Sequence, residues 1–132
     1  MTKEILKGEL SELKFAVIAM EHGFNVCRPI FAARYDLILE KDGSLHRIQV
    51  KSTKTINKKK PSDWYGVSVS RGNKGKVMYS KKNIDYFAIH IKPLDIWYIV
   101  PVDDVTGVKM SLNPNSKKSK YTKFIDAWHL LD

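Results

Sequence analysis

Asp36, Gln49 and Lys51 carry a carboxylate, a primary amide and an ammonium group, and the chain between them can bring the three together. The segment Lys41-Asp42-Gly43-Ser44 separates two runs of strand-forming residues, and Asp-Gly is the strongest short hairpin signal. With Asp42 and Gly43 as the turn residues, Leu39 faces His46, Leu37 faces Ile48, and Asp36 lies directly opposite Gln49. An odd loop or a bulge would break this register. Side chains alternate faces along a strand. One face then shows Tyr35, Leu37 and Leu39 beside His46, Ile48 and Val50, which is apolar and belongs to a core. The other shows Asp36, Gln49 and Lys51, with Arg47 and Ile38 further along.

That polar face suits phosphodiester hydrolysis. The attacking water and the leaving alkoxide are both poor without help. A hard divalent cation acidifies a bound water and neutralises charge growing on phosphate oxygens. Mg²⁺ prefers oxygen ligands and keeps several waters. Asp36 would supply one oxygen, and a strand carbonyl such as that of Val50 another. Lys51 would orient the water or stabilise the transition state. The same residues also fit an Asp–Lys pair on a solvated sheet, which contributes little; spacing alone leaves both readings open.

Several elements must position these groups. Leu6, Leu10, Leu13, Val17, Met20 and Phe24 recur at helical spacing, and Gly23 ends the pattern, so a helix is expected over 6–22 with this stripe toward the core. Strands are expected over 24–29, 34–40, 45–53, 64–70, 85–92 and 96–100, with a short one over 108–112. Phe124, Trp128 and Leu131 share one helical face, which predicts a helix over 121–131. The pattern describes one domain, residues 1–132, of α/β or α+β class: a mixed, mainly antiparallel sheet flanked by an N-terminal and a C-terminal helix.

The 132 residues are enough for one core without disulfides, and 43% are hydrophobic. The formal charge of +9 predicts attraction to a polyanion. The lone cysteine, Cys27, allows no internal disulfide and no zinc ligand set. No apolar run is long enough for a signal peptide or a membrane span, which predicts a soluble cytoplasmic protein with no membrane partner. His46 and His90 read as hydrogen-bonded residues in or beside the core. Basic loops hold Lys54, Lys58, Lys59 and Lys60, then Arg71, Lys74 and Lys76. With Arg34, these are candidate contacts to a nucleic-acid backbone. The stretch 64–76 is the candidate for reading bases.

The segments Tyr35-Asp36-Leu37-Ile38 and Arg47-Ile48-Gln49-Val50-Lys51-Ser52-Thr53 together resemble the PD-(D/E)xK nuclease superfamily. Lys7-Gly8-Glu9-Leu10-Ser11-Glu12 resembles the start of the Holliday junction resolvases of that superfamily. Ile84-Asp85-Tyr86-Phe87-Ala88-Ile89, followed by Trp97-Tyr98-Ile99-Val100-Pro101-Val102, resembles its intron-encoded homing endonucleases, in which the Gln-x-Lys variant also occurs. The resemblance covers roughly residues 7–105, and Trp128-His129-Leu130-Leu131 is also typical.

The resemblance implies a restriction-endonuclease-like core and Mg²⁺ as cofactor, with Mn²⁺ able to substitute. It makes Asp36 the central metal ligand, Lys51 the catalytic lysine, and Glu12 the helix-borne acid that helps hold metal. Gln49 stands where most members have Glu or Asp. It offers a carbonyl oxygen but no charge, so Glu12 gains importance. Glu9 competes with Glu12. On a helical wheel Glu9 lies closer to the apolar stripe, whereas Glu12 shares a side with the small Ala16 and Ala19, which would let strands approach.

The implied activity is Mg²⁺-dependent endonucleolytic cleavage of DNA, either duplex or a four-way junction, by a homodimer or homotetramer, since two cuts need two sites. The alternative is a catalytically inactive DNA-binding protein with a degenerate nuclease fold.

Overall fold

The computed structural model describes residues 2–56, 63–71 and 77–132. The N-terminal helix α1 spans Lys3–Glu21. It starts where Thr2 Oγ1 accepts the N–H of Ile5 at 3.2 Å, satisfying one of the donors that every helix start leaves free. It stops at Gly23, whose φ of +88° suits a residue without Cβ.

The face of α1 that packs inward is not the one its apolar stripe suggests. Leu6, Leu10, Leu13, Val17 and Met20 are 46 to 53% exposed. The residues buried are Ser11, Phe15, Ala16 and Ala19. Phe15 supplies the bulk: its ring stacks on Trp128 and tilts against Trp97, each at 5.3 Å between centroids. The alanines let the helix backbone sit close to the sheet. Phe24, the last residue of the expected stripe, is buried beyond the helix end.

Strands β1 (Asn25–Cys27), β2 (Leu37–Lys41) and β3 (Ser44–Thr53) form an antiparallel meander. The chain then runs through β4 (Tyr65–Ser68), β5 (Ser70–Arg71) and β6 (Val77–Met78). It returns as β7 (Tyr86–Ile91), which pairs parallel to β3 and leads by a turn into antiparallel β8 (Ile96–Pro101). The main sheet has the order β1-β2-β3-β7-β8, while β4 pairs with β9 (Lys109–Leu112) and β5 with β6 in two small ladders. This is the mixed, mainly antiparallel sheet expected. The short β6 was not anticipated, because its two residues fall inside a basic loop.

The hairpin register agrees with the expectation: Leu39 pairs with His46 and Leu37 with Ile48, around a turn in which Asp42 and Gly43 both have positive φ, as a type I′ turn requires. One sheet face, with Leu37, Leu39, Ile48, Val50, Ala88 and Ile99 buried, meets α1 and Trp128. On the opposite face Thr53 Oγ1 donates to Gly66 O of β4 at 2.6 Å, and Phe87 meets Tyr79 edge-on at 5.5 Å. His46 bonds to Leu131 O at 2.9 Å, and buried His90 to Asp95 at 2.8 Å; both sit where expected.

The expected C-terminal helix is not formed. Two short 3-10 turns, Thr122–Phe124 and Trp128–Leu131, stand in its place. Asp126, at φ +49°, breaks the path between them. Phe124, Trp128 and Leu131 are nonetheless buried. Their apolar character was legible, but not the backbone that delivers it. Among the described residues no helix is long and apolar enough to cross a membrane.

Candidate active site

The site lies where β2 stops short of β3. Asp36 N–H donates to Ile48 O at 2.8 Å as the last rung of the β2–β3 ladder. Beyond that rung β3 continues through Gln49 to Thr53 with β7 on one side only. The N–H of Val50 turns toward the missing strand, and the Asp36 carboxylate takes it, Oδ2 accepting at 2.8 Å. Backbone groups along a strand alternate direction with period two. The carbonyl of Val50 therefore points the same way as that of Ile48, into the gap that β2 leaves.

Gln49 and Lys51 alternate with Val50 and lie on the sheet face opposite the α1 core, both partly exposed. The Lys51 ammonium lies 5.7 Å from the centroid of the Tyr79 ring. Burial pulls the Lys51 pKa below its ordinary value, and the nearby Asp36 charge opposes that fall. Asp36 is pushed up by burial, against the Val50 hydrogen bond and the Lys51 and Arg28 charges, which hold it down.

Through the same gap α1 brings its acidic face. Glu9, Glu12, Arg28 and Asp36 line one open cleft of about 370 Å³, together with residues 29–33 and Tyr35. Glu12 is raised to about 7 by burial first, then by the charges of Asp36 and Glu9, with Arg28 opposing. Arg28 Nη2 reaches Glu9 Oε2 at 3.2 Å and Glu12 Oε1 at 3.5 Å. Glu12 is the more enclosed of the two, with its side chain 20% exposed against 45% for Glu9.

Two residues in this arrangement carried no sequence signal. Arg28 follows a three-residue strand with no periodicity to mark it. Tyr79 sits in what reads as a lysine-rich loop, yet its ring lies under Lys51. Its hydroxyl is raised first by burial and then by Asp36, while Arg71 and Arg34 lower it. The segment leading from Tyr79 into β7 is tied to β3 by Arg47, which donates to Lys81 O at 2.6 Å, to Lys82 O at 3.0 Å and to Asp85 Oδ2 at 3.2 Å. Arg47 is thereby committed to structure, although it shares the face of Gln49 and Lys51.

The expected backbone contacts fare unevenly. Lys54 and Arg34 are exposed. Arg71 is half-buried, and its Nη1 has no hydrogen-bond partner. Lys58, Lys59, Lys60, Lys74 and Lys76 lie outside the described residues.

The donor set fits a hard divalent cation. Among the described residues no group of three His, Cys, Asp or Glu side chains is close enough to hold a metal ion by itself. The carboxylates of Glu12 and Asp36, both raised first by burial, and the Val50 carbonyl directed into the gap are the sparse oxygen donors that Mg²⁺ accepts while keeping its waters.

A sequence profile described as PD-(D/E)XK endonuclease matches residues 2–131. The chain belongs to that family, and its class is nuclease. Among solved structures it is similar to a bacterial homing endonuclease, at a TM-score of 0.82 and 24% identity over 98% of this chain and 93% of that one. At this identity the likeness speaks for the fold. A search of curated proteins finds no match.

Proposed function

We propose that the chain is a Mg²⁺-dependent DNA endonuclease in which Glu12, Asp36, Gln49 and Lys51 form the active site. One observation carries this reading: the Asp36 carboxylate is fixed across the end of β2 by Val50, in a cleft it shares with Glu12, one strand away from Lys51. The cation would be held by Glu12, Asp36, the carbonyl of Val50 and the amide oxygen of Gln49, with Mn²⁺ able to replace Mg²⁺. When bound it supplies positive charge that acidifies a water and offsets charge on the phosphate.

The chain's own groups do the rest. On the β3 face that carries Gln49, Arg47 is committed to Asp85 and the Lys81 and Lys82 carbonyls, which leaves Lys51 as the cation among the described residues of that strand face to act on substrate. Partly withdrawn from water, its ammonium acts at a higher effective strength on a phosphate oxygen or on the attacking water. The Tyr79 ring beneath it limits where it can point. Arg71, whose Nη1 has no hydrogen-bond partner among the described residues, and exposed Arg34, both of which act electrostatically on Tyr79, would take flanking phosphates, with Lys54 as a further backbone contact.

The fold likeness to a homing endonuclease favours duplex DNA over a four-way junction as substrate. Cutting both strands then calls for a homodimer or homotetramer. Incubation of supercoiled plasmid and of a four-way junction with the protein, with Mg²⁺ or with chelator, tests the reading. Nicked or linear product should appear with Mg²⁺ and vanish with chelator and in Lys51→Ala. Tight, salt-sensitive binding with no cleavage in Mg²⁺ or Mn²⁺ would make the chain a DNA-binding protein with a degenerate site.

A further inference from the structure

The outer face of α1 carries a second apolar surface that no part of this chain covers among the described residues. Leu6, Leu10, Leu13, Val17 and Met20 run along about four turns on the side away from the sheet, each about half exposed, with Ile5 beside them at 57%. We propose that this stripe is a self-association surface on which α1 of a second copy of the chain packs antiparallel across a two-fold axis near Leu13. The inference rests on the oligomeric reading above and names its interface.

Charge placement selects both the partner and the direction. Lys3 and Glu21 lie 18 residues apart, five full turns, and so share one edge of the stripe, with Lys7 close to the same line. In antiparallel helices that edge meets its own copy. A register centred on Leu13 sets Leu6 beside Met20 of the partner subunit and Leu10 within one residue of Val17 of the partner subunit. Glu21 then falls level with residue 5, between Lys3 and Lys7 of the partner subunit. A parallel pairing would set Lys3 against Lys3 and Glu21 against Glu21. On the other edge Ile5 comes level with Glu21 and next to Met20 of the partner subunit, which adds apolar contact.

The stripe supplies the apolar centre of an interface rather than its whole area. Six half-exposed apolar side chains present on the order of 400–500 Å² per copy, against about 800 Å² per partner in a standard interface. The stems of Lys3, Lys7 and Lys14 closing over the stripe contribute to the difference. Isolated apolar residues on a surface need no explanation, but a continuous patch of this size marks an interaction site.

Sedimentation velocity across a range of protein concentrations is the first measurement. The wild-type chain should be a dimer or larger, and Leu13→Glu should roughly halve the mass while keeping the helical circular-dichroism signal, since Leu13 is exposed. Lys3→Glu with Lys7→Glu should weaken association at least tenfold, and adding Glu21→Lys should restore it. In a Cys27→Ser background, Leu6→Cys mixed with Met20→Cys should give a disulfide between the two variants, whereas Leu6→Cys alone should not cross-link. A wild-type monomer, an unchanged mass in Leu13→Glu, or efficient cross-linking of Leu6→Cys to itself would each overturn the proposal. Single-strand nicking should persist in Leu13→Glu, so an interface that fails this test leaves the reading of the active site standing.

Discussion

The N–H of Val50 and the carboxylate of Asp36 are joined at 2.8 Å, where the β2 backbone no longer supplies an acceptor. One carboxylate oxygen is thus spent on completing the sheet and the other is left for the cleft. Asp36→Asn should separate the two roles, because the amide oxygen can still accept from Val50 while the charge is lost. Cleavage should fall on the order of 100-fold or more, and metal affinity should fall with it. Stability should not. Burial raises the Asp36 pKa above its unfolded value, so the ionised form costs stability at every pH above the normal carboxylate range. Thermal unfolding at pH 7 should therefore show an unchanged or higher midpoint for Asp36→Asn. A large drop would mean that the carboxylate is structural.

Lys51→Met should behave as an inactive but sturdier protein. Burial lowers the Lys51 pKa, so its charged form is penalised throughout the neutral range, and a methionine of similar length removes that cost while keeping contact with Tyr79. Plasmid cleavage should drop by about 100- to 1,000-fold, calorimetric Mg²⁺ binding should survive, and the unfolding midpoint should rise. Loss of Mg²⁺ binding together with cleavage would show that Lys51 organises the carboxylates rather than acting on the substrate.

The hairpin was legible because two independent constraints agree there: Asp42-Gly43 fixes the turn, and the alternation of Leu37, Leu39, Ile48 and Val50 fixes the face. The ladder ends at Leu37 and Ile48, one residue short of the Asp36–Gln49 pair expected, and Asp36 instead bonds to Ile48 and Val50. Helix α1 was legible as a helix but not in its orientation. It is apolar on two sides, and the stronger stripe, Leu6 to Met20, faces out. Hydrophobic period reports that a face is apolar, not what covers it. The small Ala16 and Ala19 beside Glu12 were the better guide, because a helix closest to a sheet needs small residues. Arg28 and Tyr79 were invisible for another reason: they reach the site by tertiary approach from irregular segments, which no spacing encodes. The C-terminal turns misled through Phe124, Trp128 and Leu131, whose separations fit a helix although Asp126 interrupts it.

That reading of α1 makes a direct prediction about stability. Phe15 is fully buried against Trp97 and Trp128, so Phe15→Ala should cost about 3–5 kcal/mol in urea unfolding. Gly23→Ala meets no atom closer than 3.9 Å but must hold a φ of +88°, which should cost about 1–2 kcal/mol. A Phe15→Ala loss no larger than that of Gly23→Ala would contradict the inward face assigned here.

Gln49→Glu should convert the site to a three-carboxylate set. With metal absent, the added charge would sit next to Val50, whose N–H holds the Asp36 carboxylate, a group whose proton affinity is already raised. The metal-free unfolding midpoint should fall at pH 8, and added Mg²⁺ should raise it further than in the wild type, with about tenfold or more tighter binding. Equal Mg²⁺ stabilisation in both proteins would remove Gln49 from the donor set.

Glu12 gives the test with a defined pH window. Its pKa is raised from 4.5 to about 7 by burial, with Asp36 and Glu9 adding to the effect. Because the folded value exceeds the unfolded one, the metal-free protein binds the extra proton between those two values. Stability should decline as pH rises through that interval. A cation needs the carboxylate form, so binding must expel the proton. Mg²⁺ affinity should climb up to about tenfold per pH unit below pH 7 and level off above it. Calorimetry at pH 6.5 in buffers of different ionisation enthalpy should detect the released proton, and in Glu12→Gln that release should shrink while the affinity becomes weaker and flatter with pH. If Glu9→Gln instead abolishes the release and Glu12→Gln leaves it intact, the helix-borne ligand is Glu9, one turn earlier on the same helix.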